Sequence, residues 1–408
     1  MNLRINFNRL KEDILSLASI GRDPRGGLSR PSFSQADLEA RQWFKNKIRQ
    51  AGLSLRQDGA GNIFGRLGGE GKVIMAGSHL DTVINGGPFD GSAGVISALE
   101  CLRRIKEEGL TLAKPLEVAS FTDEEGNLVG DFLGSRAFVG SLEKEKLEKG
   151  LTQFGTPLAD ILARTEFTIE TIFQAHQQRP EIEAFIELHI EQGTVLESED
   201  KTIGIVENIA GKQYRWCSFE GKASHAGTTP FELRHDAFLG LADFALKATQ
   251  YVASNYYGSF LTVGKVAVSP GSFSVVPARA DFSLDFRSTS FQVLRELEKY
   301  TQSLAQDIAS TRGLKFNSFL QDKTEPVATS KRLTAIISQE CQKLGYSFLR
   351  LPSGAGHDAQ ILAGVTEVAM IFIPCVDGIS HSPQENIDWE DLEKGANLLL
   401  QVLIRLAS

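Results

Sequence analysis

Two residues in the first quarter of the chain have the types and spacing of a metal-binding pair. His79 and Asp81 stand two positions apart in the segment GSHLDT, so on an extended strand both side chains point to the same face. A metal-bound imidazole usually donates its second N–H to a neighbouring acceptor, which fixes the ring. We predict that His79 binds a metal, that the Asp81 carboxylate accepts its other ring N–H, and that Asp81 belongs to the catalytic residues.

Acidic residues follow at two nearby places. Asp90 lies in the loop NGGPFDG, whose three glycines allow the backbone to bend sharply, and a carboxylate held there could bridge two cations. Asp123, Glu124 and Glu125 are consecutive, and adjacent acids repel one another unless cations neutralise them. Because neighbouring side chains on an irregular segment diverge, one glutamate can bind a metal while the other acts on a water.

Two further histidines extend the possible ligand set. His189 lies in AFIELHIEQG, which has a strand pattern, and His381 lies in the predicted turn GISHSP. With His79, Asp90 and Glu125 they provide only imidazole and carboxylate, a set that suits Zn, Mn, Co or Ni and disfavours an iron–sulfur cluster or Cu(I). Strand histidines, paired loop glutamates and NGG turns are also common without a metal, so spacing alone leaves both interpretations open.

The elements around these residues predict strands whose carboxyl ends meet. Residues 72–82 and 116–122 have the continuous apolar pattern of strands buried on both faces. Ser92–Glu107 between them has helical spacing, and strand–helix–strand predicts a parallel pair with a crossover helix. Ligands of such sheets bind beyond the carboxyl ends of the strands, so the polar residues after both strands should line one crevice.

The pattern changes from about Lys212. Four strands and two helices then follow in the order strand, helix, strand, strand, helix, strand, which predicts a ferredoxin-like α+β domain. Beyond Pro326 a helix, a strand and a closing helix from Asp388 resume the α/β pattern of the first part of the chain. We predict an α/β catalytic domain with a mixed sheet, residues 1–211 and 326–408, carrying an inserted ferredoxin-like domain, residues 212–325.

Composition limits the possible partners and compartment. The 408 residues include 51 acidic and 43 basic side chains, a net charge of −8, which argues against nucleic acid or an anionic membrane as partner. Four well-separated cysteines with no CxxC pair predict reduced, mostly buried thiols. The charged N-terminal segment lacks a signal-peptide core, and the most apolar tail segment is too short to span a bilayer. We expect a soluble cytoplasmic protein.

Eight short motifs occur in the order typical of one protein family: GSHLDTV, NGGPFDG, TDEEGN, ELHIEQG, GKASHAGTTPF, SVVPA, SGAGHDA and GISHSP. The chain resembles the amidase, hydantoinase and carbamoylase branch of the M20 metallopeptidases from about Leu15 to the C-terminus. N-carbamoyl-L-amino-acid hydrolases, β-ureidopropionases and allantoate amidohydrolases share these motifs. HIEQG and HAGTTP are highly specific to this branch.

The resemblance implies a centre with two divalent metal ions in each subunit of a homodimer. It implies that His79, Asp90 and His381, and on the other side Glu125 and His189, hold the two metals, with Asp90 bridging them. The inserted domain would then serve as lid and dimerisation domain.

The resemblance also implies the roles of residues outside the ligand set. Glu124 matches the general base, and His225 in HAGTTP would reach the active site of the other subunit and polarise the scissile carbonyl. Gln192, Arg287 and Gly356 match positions that contact substrate. Arg287 would offer a planar fork to the substrate carboxylate, which lysine cannot reproduce.

One position departs from the family pattern. The family usually has Asn where this chain has Ser274, in the sequence SVVP. Serine offers a single hydroxyl close to the backbone, so either a water fills the gap or the substrate is larger there. All five metal positions and Glu124 are present, so the departure concerns the substrate rather than catalytic competence.

The implied activity is hydrolysis of the ureido C–N bond of an N-carbamoyl-L-amino acid. Allantoate and N-carbamoyl-β-alanine, which also carry a carboxylate, are the alternative ureido substrates. A dipeptidase or aminoacylase of the wider M20 group would share the metal centre but would lack the HIEQG and HAGTTP motifs. A metal-free binding protein would have lost a ligand or Glu124, and neither is lost here.

Overall fold

A computed structural model describes residues 3–408. The chain divides into two compact units, one comprising residues up to Glu207 together with Ala328–Ser408 and the other, the inserted unit, comprising Asn208–Val327. The strands are β1 (Ser54–Gln57), β2 (Ile63–Leu67), β3 (Val73–His79), β4 (Leu116–Phe121), β5 (Ile182–Ile190), β6 (Ile203–Ile209), β7 (Gly211–Glu220), β8 (Ser224–His225), β9 (Phe260–Ser269), β10 (Val275–Val276), β11 (Arg279–Ser288), β12 (Lys315–Thr324), β13 (Val327–Ala328), β14 (Phe348–Ser353) and β15 (Glu367–Ile373). The α-helices are α1 (Phe7–Leu17), α2 (Gln35–Gln50), α3 (Ser92–Glu107), α4 (Leu133–Val139), α5 (Lys144–Lys149), α6 (Leu158–Leu162), α7 (Ile169–Gln174), α8 (Val195–Ser198), α9 (Ala237–Asn255), α10 (Phe291–Arg312), α11 (Lys331–Leu344), α12 (Asp358–Leu362) and α13 (Trp389–Ala407).

A large mixed sheet forms the centre of the larger unit. Its strand order is β1-β2-β4-β3-β5-β15-β6-β13, with β14 paired to β6. Strands β4, β3, β5 and β15 run parallel, whereas β1, β2 and β6 pair antiparallel with their neighbours. The predicted parallel pair with a crossover helix is confirmed as β3, α3 and β4, and the predicted mixed-sheet α/β class is confirmed.

The central strands are buried on both faces, and their alternation separates two kinds of side chain. On β5, Ala184, Ile186 and Leu188 join the apolar core that includes α3 and α13. The alternate residues Phe185 and His189 point to the opposite face, where the Phe185 ring packs against Phe121. This alternation places His189 on the face away from α3.

The inserted unit has the ferredoxin-like pattern predicted for it. Its antiparallel sheet has the order β12-β7-β11-β9, and helices α9 and α10 pack on it. Phe219, Phe244 and Phe282 fill the core between sheet and helices. Because strand side chains alternate, the odd-numbered residues of β11, which include Arg287, lie on the face of the sheet opposite this core.

Several elements were not predicted from the sequence. They are the short helices α4 to α8 and α12 and the strands β1, β2, β6, β8, β10, β13 and β14. Helices of four to seven residues contain too few turns to show a clear period. Helices α4 to α7 form because apolar residues such as Leu133, Leu158 and Ile172 pack into a common cluster.

Two further structural observations bear on the expectations from composition. All four cysteines are buried and free of disulfides, as predicted. Within residues 3–408, no helix combines the length and apolar character needed to cross a bilayer.

Candidate metal centre

Parallel strands bring the predicted ligands to one edge of the large sheet. His79 is the last residue of β3, and His189 is the penultimate residue of β5. Glu124 and Glu125 follow β4, and His381 follows β15. Because these strands run parallel, their carboxyl ends lie side by side, and the polar residues predicted to share one site lie at one edge of the sheet.

The loop before α3 brings Asp90 to the same edge. Gly91 has φ 62°, and a Cβ atom at this position would lie 2.5 Å from the His79 ring. Only glycine therefore lets the loop pass so close to the imidazole while adopting a left-handed conformation. Asp90 precedes the N-terminus of α3, where the helix dipole favours negative charge.

The two carboxylate oxygens of Asp90 face different ligands. Oδ1 lies 3.2 Å from His189 Nε2 and 3.5 Å from His79 Nε2. Oδ2 lies 3.3 Å from His381 Nε2, which is itself 3.4 Å from Glu125 Oε2. The Asp90 carboxylate is thus shared by two groups of ligand atoms, and within each group the atoms lie within 4.8 Å of one another.

These separations fit bound divalent cations. Two ligands that each lie about 2.1 Å from one tetrahedral ion are about 3.4 Å apart, whereas N–H···O hydrogen bonds are usually shorter. Glu125 Oε1 is buried without a hydrogen-bond partner among the described residues, and such an oxygen needs a donor or a cation. The imidazole and carboxylate donors therefore suit one cation on each side of Asp90.

The structure divides the ligands differently from the division implied by the resemblance. His189 groups with His79 and Asp90, and Glu125 groups with His381 and Asp90. The reason is topological: β3 and β5 are paired neighbours in the sheet, so their terminal histidines lie on one side. His381 and Glu125 come from the loops after the flanking strands β15 and β4.

The His79 ring contacts the backbone carbonyl group of Asp81 rather than the carboxylate predicted from the sequence. His79 Nδ1 lies 3.0 Å from the backbone oxygen of Asp81 and 3.8 Å from its carboxylate. The carboxylate instead accepts the backbone N–H groups of Glu124, at 3.4 Å, and Glu125, at 3.3 Å. Asp81 thus fixes the His79 ring through its carbonyl group and the glutamate pair through its side chain.

Burial shapes the electrostatics of the acidic groups. Burial raises the pKa of Glu124 well above its usual range, and the charge of His79 opposes the shift while that of Glu125 adds to it. Burial and the charge of Asp90 raise the pKa of Glu125 to about 7. Burial alone would also raise the pKa of Asp90, but the imidazole groups of His189, His381 and His79 that face its carboxylate hold the pKa well below its usual range. Glu124, with Oε2 3.7 Å from His79 Nε2, is placed beside the ligands as a group that readily holds a proton.

Two residues predicted to contact substrate, Gln192 and Gly356, lie in the larger unit together with the predicted metal ligands. Gln192 Nε2 donates to Asp90 Oδ2 at 2.8 Å, so this side chain contacts a predicted metal ligand directly. Gln192 adopts φ 57°, a left-handed conformation that is uncommon for residues other than glycine. Gly356 lies between β14 and α12, next to the buried His357.

The other predicted site residues belong to the inserted unit. His225 is exposed on β8, which pairs with β10, and its Nδ1 accepts the backbone N–H of Gly227. The carbonyl group of the exposed Ser274 accepts the N–H of Ala226 at 2.8 Å, which ties the SVVP segment to the histidine loop. Arg287 donates from Nε to Asp285 Oδ2 at 3.0 Å and from Nη2 to the Tyr214 hydroxyl at 3.3 Å.

Three buried residues near the ligands were not selected from the sequence. The rings of His357 and His189 lie 4.6 Å apart. One ligand atom from each of Glu187, His189 and His357 lies within 4.8 Å of the other two. Burial and the charge of His189 hold the pKa of His357 well below its usual range, while burial and the charge of Glu187 raise that of Asp358. The adjacent His and Asp in SGAGHDA were the available signal, as was Glu187 two positions before His189.

Comparisons with known proteins identify the family of the chain. A model of peptidase family M20/M25/M40 matches residues 75–405. The N-carbamoyl-L-amino acid amidohydrolase of Geobacillus stearothermophilus is 36% identical over 407 residues, covering 99% of this chain and 99% of that protein. The allantoate amidohydrolase of Escherichia coli (strain K12) is 34% identical over 402 residues, covering 98% of this chain and 97% of that protein.

The solved structures lead to the same family. An amidase of the hydantoinase/carbamoylase family from Burkholderia multivorans superposes with a TM-score of 0.89 at 32% identity, covering 100% of this chain and 99% of that chain. The likeness therefore extends over both units and over every motif on which the resemblance was based. The chain belongs to peptidase family M20/M25/M40 and is similar throughout its length to amidases of the hydantoinase/carbamoylase family.

Proposed function

We propose that the chain is a metal-dependent amidohydrolase that cleaves the ureido C–N bond of N-carbamoyl-L-amino acids. The observation that supports this most directly is the Asp90 carboxylate, shared between His79 and His189 on one side and Glu125 and His381 on the other. Full-length relatives named as N-carbamoyl-L-amino acid amidohydrolases support the substrate class. When bound, two divalent cations supply an acidified water and stabilise negative charge on a carbonyl oxygen.

Glu124 is the proposed general base. Its carboxylate takes a proton from the attacking water and returns it to the departing nitrogen, so no proton is left over at the end of the cycle. A positioned group of this kind contributes typically ~10² to 10⁴ in rate. Burial raises the pKa of Glu124, and a carboxylate with a raised pKa is a stronger base. Bound cations nearby would favour the ionised form that can accept the proton.

His225 and Arg287 are proposed to act on the substrate. An N–H of the His225 imidazole donates to the oxygen that becomes negative when the carbonyl group is attacked. Arg287 binds the substrate carboxylate with two parallel N–H groups, and Asp285 and Tyr214 orient the guanidinium group for this task. In this proposal His225 of the partner subunit serves each site, so a homodimer is the active form.

The finer features of the proposal follow from the donor types and from the relatives. Zn, Mn, Co and Ni all suit the imidazole and carboxylate set. Free, buried cysteines agree with a reducing, cytoplasmic location. Allantoate is the second candidate substrate, because relatives named as allantoate amidohydrolases match at nearly the same identity.

A substrate panel tests the proposal. The purified full chain, loaded separately with Mn²⁺ and Zn²⁺, is assayed on N-carbamoyl-L-amino acids, N-carbamoyl-β-alanine, allantoate and dipeptides. We expect the highest kcat/KM on N-carbamoyl-L-amino acids. Preference for allantoate would replace the first candidate by the second. Turnover of dipeptides alone would reject both.

A further inference from the structure

A buried carboxylate outside the predicted ligand set connects two ligand-bearing loops. Glu385 lies four positions after His381 and is 4% exposed. Its Oε1 accepts the backbone N–H groups of Phe89, at 2.7 Å, and Asp90, at 3.0 Å. Its Oε2 lies 3.0 Å from Ser380 Oγ. One side chain thus joins the loop that carries Asp90 to the loop that carries His381.

The Ser380 hydroxyl lies between two carboxylates. Its Oγ is 2.8 Å from Asp90 Oδ2 and 3.0 Å from Glu385 Oε2. Oδ2 is the oxygen that faces His381, and Gln192 Nε2 also donates to it at 2.8 Å. The Ser380 hydroxyl has a single proton, so it can donate to only one of the two carboxylates at a time, whereas Gln192 donates to Asp90 Oδ2 throughout. Ser380 and Glu385 nevertheless limit the rotation of the Asp90 carboxylate, because the hydroxyl group bridges the two side chains.

The Asp90 loop is shaped to enclose the Glu385 carboxylate. A Cβ atom at Gly87 would lie 2.3 Å from Glu385 Oε1, so the loop approaches too closely for any other residue. The N–H groups of Phe89 and Asp90 lie in the loop before α3, and buried backbone N–H groups need acceptors. Leaving a buried N–H group without an acceptor is unfavourable, so the Glu385 carboxylate stabilises the loop in this position.

We propose that Glu385 and Ser380 are positioning residues that fix the Asp90 carboxylate against His381, so that the Glu125 side of the centre is preformed for its cation. The inference rests on the proposed metal-dependent function, but it concerns cation affinity rather than substrate. Residues that orient metal ligands typically change affinity about 10- to 100-fold when they are removed.

Three variants of the full chain and one control test the proposal. Glu385→Ala removes the acceptor of both N–H groups, and Ser380→Ala removes the hydroxyl group that bridges Asp90 and Glu385. Glu385→Gln keeps one oxygen for the N–H groups and replaces the other by an amide. Glu100→Ala is the matched control, because Glu100 is also fully buried and accepts a backbone N–H, that of Asn6 at 2.9 Å, but belongs to no candidate metal cluster of the described residues.

Mn²⁺ titration of the metal-free proteins by calorimetry gives the affinity of each site without any substrate. We expect wild type and Glu100→Ala to bind two ions alike. Glu385→Ala should bind one of them about 10- to 100-fold more weakly, with smaller losses for Ser380→Ala and Glu385→Gln. Excess Mn²⁺ should restore most of the kcat of Glu385→Ala, which a purely structural defect would not allow.

Wild-type affinity in Glu385→Ala and Glu385→Gln would overturn the inference, and so would a wild-type chain that binds no cation. If Glu385→Ala does not fold, the titrations of Glu385→Gln and Ser380→Ala decide. A chain that binds two ions with the expected losses but hydrolyses no ureido substrate would reject the proposed function and leave this inference standing.

Discussion

The two units hold most of their chemistry-bearing residues in different environments, and the exception in the larger unit is His381, whose side chain is half exposed. In the larger unit, His79, Asp90 and His189 are almost fully buried, and their ligand atoms converge within 4.8 Å. In the inserted unit, His225 and Ser274 are exposed. No candidate metal cluster of residues 3–408 includes a residue of Asn208–Val327.

The proposed function assigns the two units separate tasks. Buried, mutually repelling carboxylates are stable only when cations or protons neutralise them, so the larger unit is built to hold metal. Exposed hydrogen-bond donors keep their water until a substrate replaces it, so the inserted unit is suited to recognition. Metal content should therefore depend on the larger unit alone, whereas changes in the inserted unit should alter turnover at constant metal content.

Removal of the metals should have the largest effect. Chelation of the full chain should abolish turnover and leave the far-UV circular dichroism spectrum largely unchanged, because the ligands lie on strand ends and loops of an already folded sheet. Activity, metal analysis and circular dichroism on the same sample check this, and added Mn²⁺ should restore the rate. Normal turnover by a fully chelated sample would contradict the assignment of the centre.

The adjacent glutamates should separate catalysis from metal binding within the larger unit. Glu124→Gln should keep near-normal metal content and lower kcat by about two to four decades, because it removes only the base. Glu125→Gln should weaken metal binding instead, because it removes a predicted ligand. Metal analysis of both variants beside their kinetics makes the test, and the opposite pattern would exchange the two roles.

His225→Ala tests the other side of the comparison. Loss of one donor to the developing oxyanion should lower kcat about 10²- to 10³-fold while both metals stay bound. His235→Ala is the control, because His235 lies in the same unit with Nδ1 3.3 Å from the Arg312 carbonyl oxygen and has no proposed catalytic role. Loss of metal from His225→Ala would contradict the expectation that metal content depends on the larger unit alone.

Mixed dimers sharpen the same prediction. If His225 acts across a homodimer, subunit exchange between inactive His225→Ala and inactive Glu124→Gln should restore activity, since one site of each mixed dimer combines an intact Glu124 with an intact His225. Random exchange makes about half of the dimers mixed, so recovery is limited to about a quarter of wild-type activity. No recovery, despite exchange confirmed by native mass spectrometry, would place His225 in its own subunit's site or in none.

Arg287→Lys should have the smallest effect on kcat. A lysine keeps the charge but cannot form two parallel N–H bonds to a carboxylate, so KM should rise about 10- to 100-fold, the equivalent of one charge-assisted hydrogen bond. Metal content should stay constant. The matched substrate is the amide of the same N-carbamoyl amino acid, and an equal loss on acid and amide would show that Arg287 is structural.

The residue types, their order and the elements around them were predictable from the sequence. The apolar runs before His79 and after Pro115 predicted the buried strands, and α3 occupies the predicted residues Ser92–Glu107, because local periodicity and capping determine such elements. The resemblance supplied the family, which the comparisons confirm. The roles of the site residues remain predictions.

Tertiary structure alone decided how the ligands divide around Asp90. The division depends on which strands pair, and the pairing of β3 with β5 joins residues far apart in the chain. In the same way, the acceptor for His79 is a carbonyl group rather than a carboxylate, and Glu385 reaches the Asp90 loop across nearly three hundred positions. The sequence by itself determined the donors that the centre contains, because side-chain chemistry and local period are properties of short segments. Their partners were decided by strand order and loop closure, because these depend on the packing of the whole sheet.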